Sequence, residues 1–142
     1  EISACLVGSE MCIRDRFTPG SHGSTFAGNP LGAAAGLATL DVIEDENLVA
    51  NAEARGEQLR DGIMATGNPL FVSVRGRGLL DAVELKHPCS HAVMNYCLEH
   101  GLIVNAVAPN ALRFAPPLIV TAQDVDQALA ILKDVPTDLP DD

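Results

Sequence analysis

The chain has 142 residues, of which 47% are hydrophobic and 20% charged. That is room for one ordinary domain or part of a larger protein, with enough apolar material for a real core, and it excludes disorder for the bulk of the chain. Nineteen acids against nine lysines and arginines give a formal charge of −10, which repels phosphate backbones and anionic lipids and sets aside nucleic-acid and membrane-surface roles.

No run of about 18 apolar residues occurs, so no helix is expected to span a bilayer. Glu1 comes first and Glu10 breaks the short apolar patch after it, which is not a secretory signal, and a cytoplasmic protein is expected. Residues 1–16 have neither a helical nor a strand period and no capping residues. They resemble a peptide that arises from translated sequencing-adapter read-through, and are expected to be a non-native leader.

Order begins at Phe17. Gly20, Gly23 and Gly28 punctuate a turn region, and Gly28-Asn29-Pro30 announces a helix with Asn29 as N-cap and Pro30 at its first position. Leu31 to Ile43 is almost wholly apolar and is expected to be a buried, closely packed helix. After Glu44-Asp45-Glu46, Asn47 is expected to cap a second helix. There Leu48, Ala52, Leu59 and Ile63 form the apolar stripe, and Arg55, Glu57 and Arg60 lie outside it.

Beyond Gly67-Asn68-Pro69, strands alternate with helices. Phe71 to Arg75 and Leu79 to Leu85 read as two strands joined by Gly76-Arg77-Gly78. Pro88 to His100 reads as a helix stopped by Gly101. Leu102 to Asn105 and Ala111 to Phe114 are short strands on either side of Pro109-Asn110. Thr121 and Asp124 form a capping box for a last helix, Ala122 to Leu132, and the acidic tail 136–142 is expected to be loose.

Cys5, Cys12, Cys89 and Cys97 contain no C-x-x-C and no zinc-like spacing, so they read as buried reduced thiols. His87 and His91 are four apart, but Pro88 intervenes and no carboxylate completes a ligand set. No metal site is expected.

Two features can carry chemistry. In Gly20-Ser21-His22-Gly23-Ser24-Thr25, glycines can turn backbone N–H groups toward one point beside two hydroxyls and a helix N-terminus. That suits a phosphate, or it is simply a polar turn before a capped helix. No G-K-[ST] follows, so it is not a P-loop. In Ala111-Leu112-Arg113-Phe114, alternation puts Arg113 opposite its apolar neighbours, where a guanidinium can grip a carboxylate or form a surface ion pair. Arg75 and Arg77 read as solvated arginines of a tight turn.

Three blocks stand in one order: Gly20 to Leu31, Val74 to Leu80 (Val-Arg-Gly-Arg-Gly-Leu-Leu) and Gly101 to Val120. Together they resemble the class-III aminotransferases, pyridoxal-phosphate enzymes of type I fold, over residues 17–133. Within that family the Val104-Asn105 and Ala108-Pro109-Asn110 block favours the acetylornithine branch.

The resemblance implies an α/β enzyme that is truncated here. Residues 17–66 would end the large cofactor domain as a helical arm, and 67–135 would form a small C-terminal α+β domain with a short, mainly antiparallel sheet. It also implies pyridoxal 5'-phosphate as cofactor and a homodimer. The substrates would be acetylornithine, 2-oxoglutarate and glutamate, with ornithine or 4-aminobutyrate as alternative donors. By position Thr25 would bind cofactor phosphate from the neighbouring subunit, Ser24 would contact substrate, and Arg113 would receive a substrate carboxylate. The family's catalytic lysine lies upstream of the Gly-Ser-Thr block, and neither Lys86 nor Lys133 fits its position, so no catalytic residue is assigned. Asp81 stands where the family has an apolar residue, and its burial would need a partner. The rival reading is a non-catalytic α+β binding module.

Overall fold

The computed structural model of the protein describes residues 25–142, so the expectations for the leader 1–16 and for Ser24 lie outside the described residues. The chain divides into two compact units, one ending at Leu40 and one running from Asp41 to Asp142.

A turn over 25–28, with Gly28 at φ 70°, leads into helix α1 (Pro30–Asp45), which runs from the first unit into the start of the second. Asn29 caps it as expected: its Oδ1 accepts from the Gly32 amide at 2.8 Å, and its Nδ2 donates to the Phe26 carbonyl at 2.7 Å. The expected burial of this helix does not hold. None of its residues is buried, and Leu31 is 81% exposed. Apolarity on every side creates a demand for cover.

Helix α2 (Leu48–Ala65) follows in the second unit. Asn47 does not cap α2 through its side chain. It sits in the left-handed region at φ 51°, where asparagine is tolerated, and turns the chain between the two helices. Leu48, Gly56, Leu59 and Ile63 form the buried face of α2.

Strands β1 (Phe71–Arg77) and β2 (Leu80–Leu85) form a hairpin whose turn is Gly78-Leu79, with Gly78 at φ 57°. Helix α3 (Ser90–Glu99) follows. Its end is a Schellman closure: Gly101, at φ 87°, donates to Leu98, and the Leu102 amide reaches the Cys97 carbonyl at 2.8 Å. Because 102 closes the helix and Val104 drops into the core, β3 starts later than expected, at Asn105–Ala108. The Pro109-Asn110 turn leads to β4 (Ala111–Phe114), and α4 (Ala122–Lys133) ends the element order.

The four strands make an antiparallel sheet in the order β1-β2-β4-β3. One face packs against the helices through Val83, Leu85, Leu112 and Phe114, which meet Leu59 and Ile63 of α2, Val93 and Cys97 of α3, and Val125 and Leu132 of α4. The capping box of α4 forms as expected, with Asp124 accepting from the Thr121 amide at 2.9 Å and donating its own amide to the Thr121 hydroxyl at 3.2 Å.

The tail is not loose. The Asp142 carboxylate accepts from the Ser90 hydroxyl and the His91 amide, both at 3.0 Å, and Leu139 packs against the core. The first turn of α3 has free N–H groups, and Cys89 offers no side-chain cap, so a carboxylate from the tail takes that place. Desolvation works against the Asp142 charge, but the bonds from His91, Ser90 and Ala92 outweigh it and hold the carboxyl down at about 2.

Candidate functional site

The sheet leaves its second face open. Register sets four residues in one row across it, Arg75 on β1, Ala82 on β2, Arg113 on β4 and Asn105 on β3. Alternation explains the row, because Val74, Val83 and Leu112 turn to the core and their neighbours turn away. Arg113 is exposed, as its strand pattern predicts. It lines a concavity of about 440 Å³ together with Arg75, Ala82, Leu80 and Val107. Arg75 ends no strand and Arg77 is no turn residue, since β1 runs on through Arg77 and the hairpin turns two positions later than expected; both arginines are exposed, as expected. The signal that could have found Arg75 is the same alternation that placed Arg113.

Behind this row, on the core face, lies a polar clamp. Asp81 is 1% exposed, and Arg60 of α2 donates to its Oδ1 at 2.9 Å and to the Gly78 carbonyl at 3.0 Å. Arg60, expected outside the apolar stripe, therefore reaches inward and is the partner that Asp81 required. Burial pushes the Asp81 carboxyl up, while the hydrogen bond and charge of Arg60 pull it back. Its Oδ2 is buried without a partner. Two glycines allow the clamp to close. A Cβ on Gly76 would lie 2.2 Å from Asp81 Oδ1, and one on Gly56 would lie 1.7 Å from the Gly78 carbonyl oxygen.

The remaining reactive side chains are structural. Cys89 and Cys97 are free and fully buried. Burial raises both thiols, that of Cys97 to about 11, so neither is a ready nucleophile. His87 and His91 face different tail carboxylates, Asp141 at 2.6 Å and Asp142 at 3.0 Å. Among the described residues no group of three His, Cys, Asp or Glu is placed to hold a metal, and no helix is long and apolar enough to cross a membrane.

The family model for aminotransferase class-III matches residues 2–135. The chain belongs to the class-III aminotransferases. It is 45% identical over 137 residues to an ornithine aminotransferase of Staphylococcus carnosus, covering 94% of this chain and 33% of that protein. It is 44% identical over 135 residues to an acetylornithine aminotransferase of Synechocystis, covering 89% of this chain and 32% of that protein. The crystal structure of acetylornithine aminotransferase from Elizabethkingia anophelis superposes with a TM-score of 0.72 at 39% identity, over 85% of this chain and 33% of that one. The chain thus spans about a third of the length of the relatives it matches.

These neighbours have the type I fold, of which the sheet and helices described here are a small α+β piece. Family members are pyridoxal-phosphate enzymes, and an ornithine aminotransferase structure from Toxoplasma gondii, with a TM-score of 0.73 at 36% identity, has the cofactor at partial occupancy in its active site. What the described residues offer such a group is limited but chemically apt. Thr25 is an exposed hydroxyl in the turn before α1, and a hydroxyl suits a phosphate oxygen. The only lysines of the sequence, Lys86 after β2 and Lys133 at the end of α4, are both exposed. Thr25 lies in the first unit and Arg113 in the second.

Proposed function

We propose that the chain is the C-terminal part of an acetylornithine-type aminotransferase. The complete enzyme moves an amino group between N-acetylornithine and 2-oxoglutarate, yielding glutamate, as a cytoplasmic homodimer of arginine biosynthesis. In this reading residues 17–66 end the large domain and 67–135 are the small domain. The observation that carries it is Arg113, held on a rigid central strand with its guanidinium side open, in a chain whose family match runs from 2 to 135.

Each residue then has a limited task. Arg113 binds and orients a substrate carboxylate through its planar fork. Thr25 donates to the cofactor phosphate of the neighbouring subunit, and Ser24 touches substrate. When bound, pyridoxal phosphate supplies the electron sink for bond-breaking at the amino-bearing carbon. Proton movement at that carbon belongs to a lysine upstream of the Gly20–Thr25 block, so this chain by itself is inactive. Ornithine is the second candidate donor, favoured by the 45% identity to an ornithine aminotransferase.

The test joins this chain to its upstream part and replaces Arg113 by lysine, which keeps the charge and loses the fork. kcat/KM falls at least about tenfold while the melting temperature holds. Unchanged kinetics with a lower melting temperature would reduce Arg113 to a structural ion pair. Parallel assays with N-acetylornithine and ornithine decide the donor. The chain alone, mixed with pyridoxal phosphate and borohydride, forms no stoichiometric adduct at Lys86 or Lys133 that is coupled to turnover.

A further inference from the structure

The acidic tail and the first turn of α3 meet in a polar cluster that the proposed function does not use. The Asp142 carboxylate accepts from the His91 amide at 3.0 Å, the Ala92 amide at 3.4 Å and the buried Ser90 hydroxyl at 3.0 Å, and it lies 3.0 Å from His91 Nδ1. The Asp142 amide donates to the Pro88 carbonyl at 2.6 Å, and Asp141 meets His87 Nδ1 at 2.6 Å. Leu139 adds an apolar foot against the core. The tail itself lies beyond residue 135, where the family match stops.

The two histidine–carboxylate pairs differ in depth. The Asp142 side chain is 14% exposed and anchors the contact, whereas that of Asp141 is 67% exposed. An imidazolium in the first turn of a helix sits at the positive end of the helix dipole, which disfavours it unless a carboxylate lies alongside. A charged His91 therefore needs Asp142 in place, and a charged His87 strengthens the contact to Asp141. Among the described residues, three titratable groups face the two carboxylates: His87 from the β2–α3 connection, His91 from α3, and the Cys89 thiol, which burial and then the charges of Asp142 and Asp141 raise. Of these side-chain types, imidazole is the one that ordinarily changes charge between pH 5 and 8. Ser90 carries the contact further, because its amide donates to the Pro109 carbonyl at 3.0 Å, in the turn before β4.

We propose that residues 139–142 form a pH-sensitive strap, seated on the first turn of α3 by the pairs His87–Asp141 and His91–Asp142. The strap is closed when both imidazoles carry charge and loosens when they lose it. A neutral ring keeps at most a hydrogen bond to its carboxylate, without the charge that makes such a bond strong. Acid does not open the strap in this range. Against desolvation, the bonds from His91, Ser90 and Ala92 hold the Asp142 carboxyl down at about 2. The strap is a property of the tail and α3, independent of the transaminase reading.

The experiment follows amide hydrogen exchange of the 142-residue chain by NMR, expressed as protection factors so that the intrinsic pH dependence of exchange drops out. The His91 and Ala92 amides, which bond to Asp142, lose protection at least about threefold between about pH 5.5 and about pH 8, the scale of two partly exposed charge pairs. The amides of Leu129 and Leu132 in α4 do not follow them. Salt at about 0.5 M shrinks the difference, because exposed charges are screened. His87→Gln with His91→Gln keeps polar side chains without a titrating charge, and protection of the Ala92 amide becomes flat with pH. Asp141→Asn with Asp142→Asn lowers protection at the acid end toward the alkaline value. The proposal is overturned if the wild-type amides hold the same protection at both ends, if α4 loses protection in equal measure, or if the doubled glutamine variant keeps the full pH dependence. The wild-type comparison needs no variant to fold and decides by itself.

Discussion

Helices α1 and α2 follow one another in the chain, and both carry glycine near their middle. Around Gly36 of α1 nothing lies within 4 Å of the position a Cβ would take, and no residue of that helix is buried. Around Gly56 of α2 the Gly78 carbonyl oxygen lies 1.7 Å from that position, and Arg60, one turn on, grips Asp81 and the same carbonyl. The same residue type is thus a close-packing device in one helix and a weak point in the other. Composition misleads about which is which. The more apolar helix is the exposed one, and the helix with arginines on it holds the polar clamp of the core.

The largest test of that contrast is Arg60→Met. It leaves the Asp81 carboxylate buried without its cation, and we expect a loss of about 3–5 kcal/mol in urea unfolding. The double change Arg60→Met with Asp81→Leu recovers most of it, because two apolar groups need no partner. A single-variant cost below about 1 kcal/mol would show that the pair is not what closes the hairpin on α2.

Next comes Gly56→Ala, expected to cost about 3 kcal/mol because backbone, not a flexible side chain, must move aside. Thr121→Ala at the start of α4 removes an ordinary cap, for about 1 kcal/mol. Its pH dependence follows from Asp124, whose carboxyl the Thr121 hydroxyl and amide hold below its usual 3.8. A lowered value in the folded state contributes stability that is present above pH 3.8 and lost as pH falls through the folded value. The gap between Thr121→Ala and wild type therefore narrows below that pH, which a series of melts from pH 6 to 2.5 reads directly. Smallest of all, and opposite in sign, is Gly36→Ala. With open space around it, alanine gains up to about 1 kcal/mol of helix propensity and raises the far-ultraviolet helical signal. A loss there would mean that something packs closely on α1 after all.

Much of this was legible from local patterns. The Asn29 cap, the Thr121–Asp124 box and the Gly101 stop each depend on near neighbours in the chain, and each forms where the sequence places it; β4 was legible from its alternation, although β2 and β3 pair with it. The misplacements have a common cause. Leu102 to Val104 look like strand, but a helix end three residues back claims the Leu102 amide. The tail looks like a loose acidic end, but α3 lacks a side-chain cap and Asp142 supplies one from 52 residues beyond Ser90.

For the candidate site, the sequence by itself determined that Arg113 leaves the core side of its strand, because alternation is enforced by the pleat. It also determined that a buried Asp81 must find a cation, because an unpaired charge is too costly inside. Only the tertiary structure decided that the cation is Arg60, 21 residues away on a helix, and that Arg75 shares Arg113's row. Both depend on strand order and register. β2 lies between β1 and β4, so residues 38 positions apart in the chain meet across a single alanine, and no local period encodes which strand will be the neighbour of which.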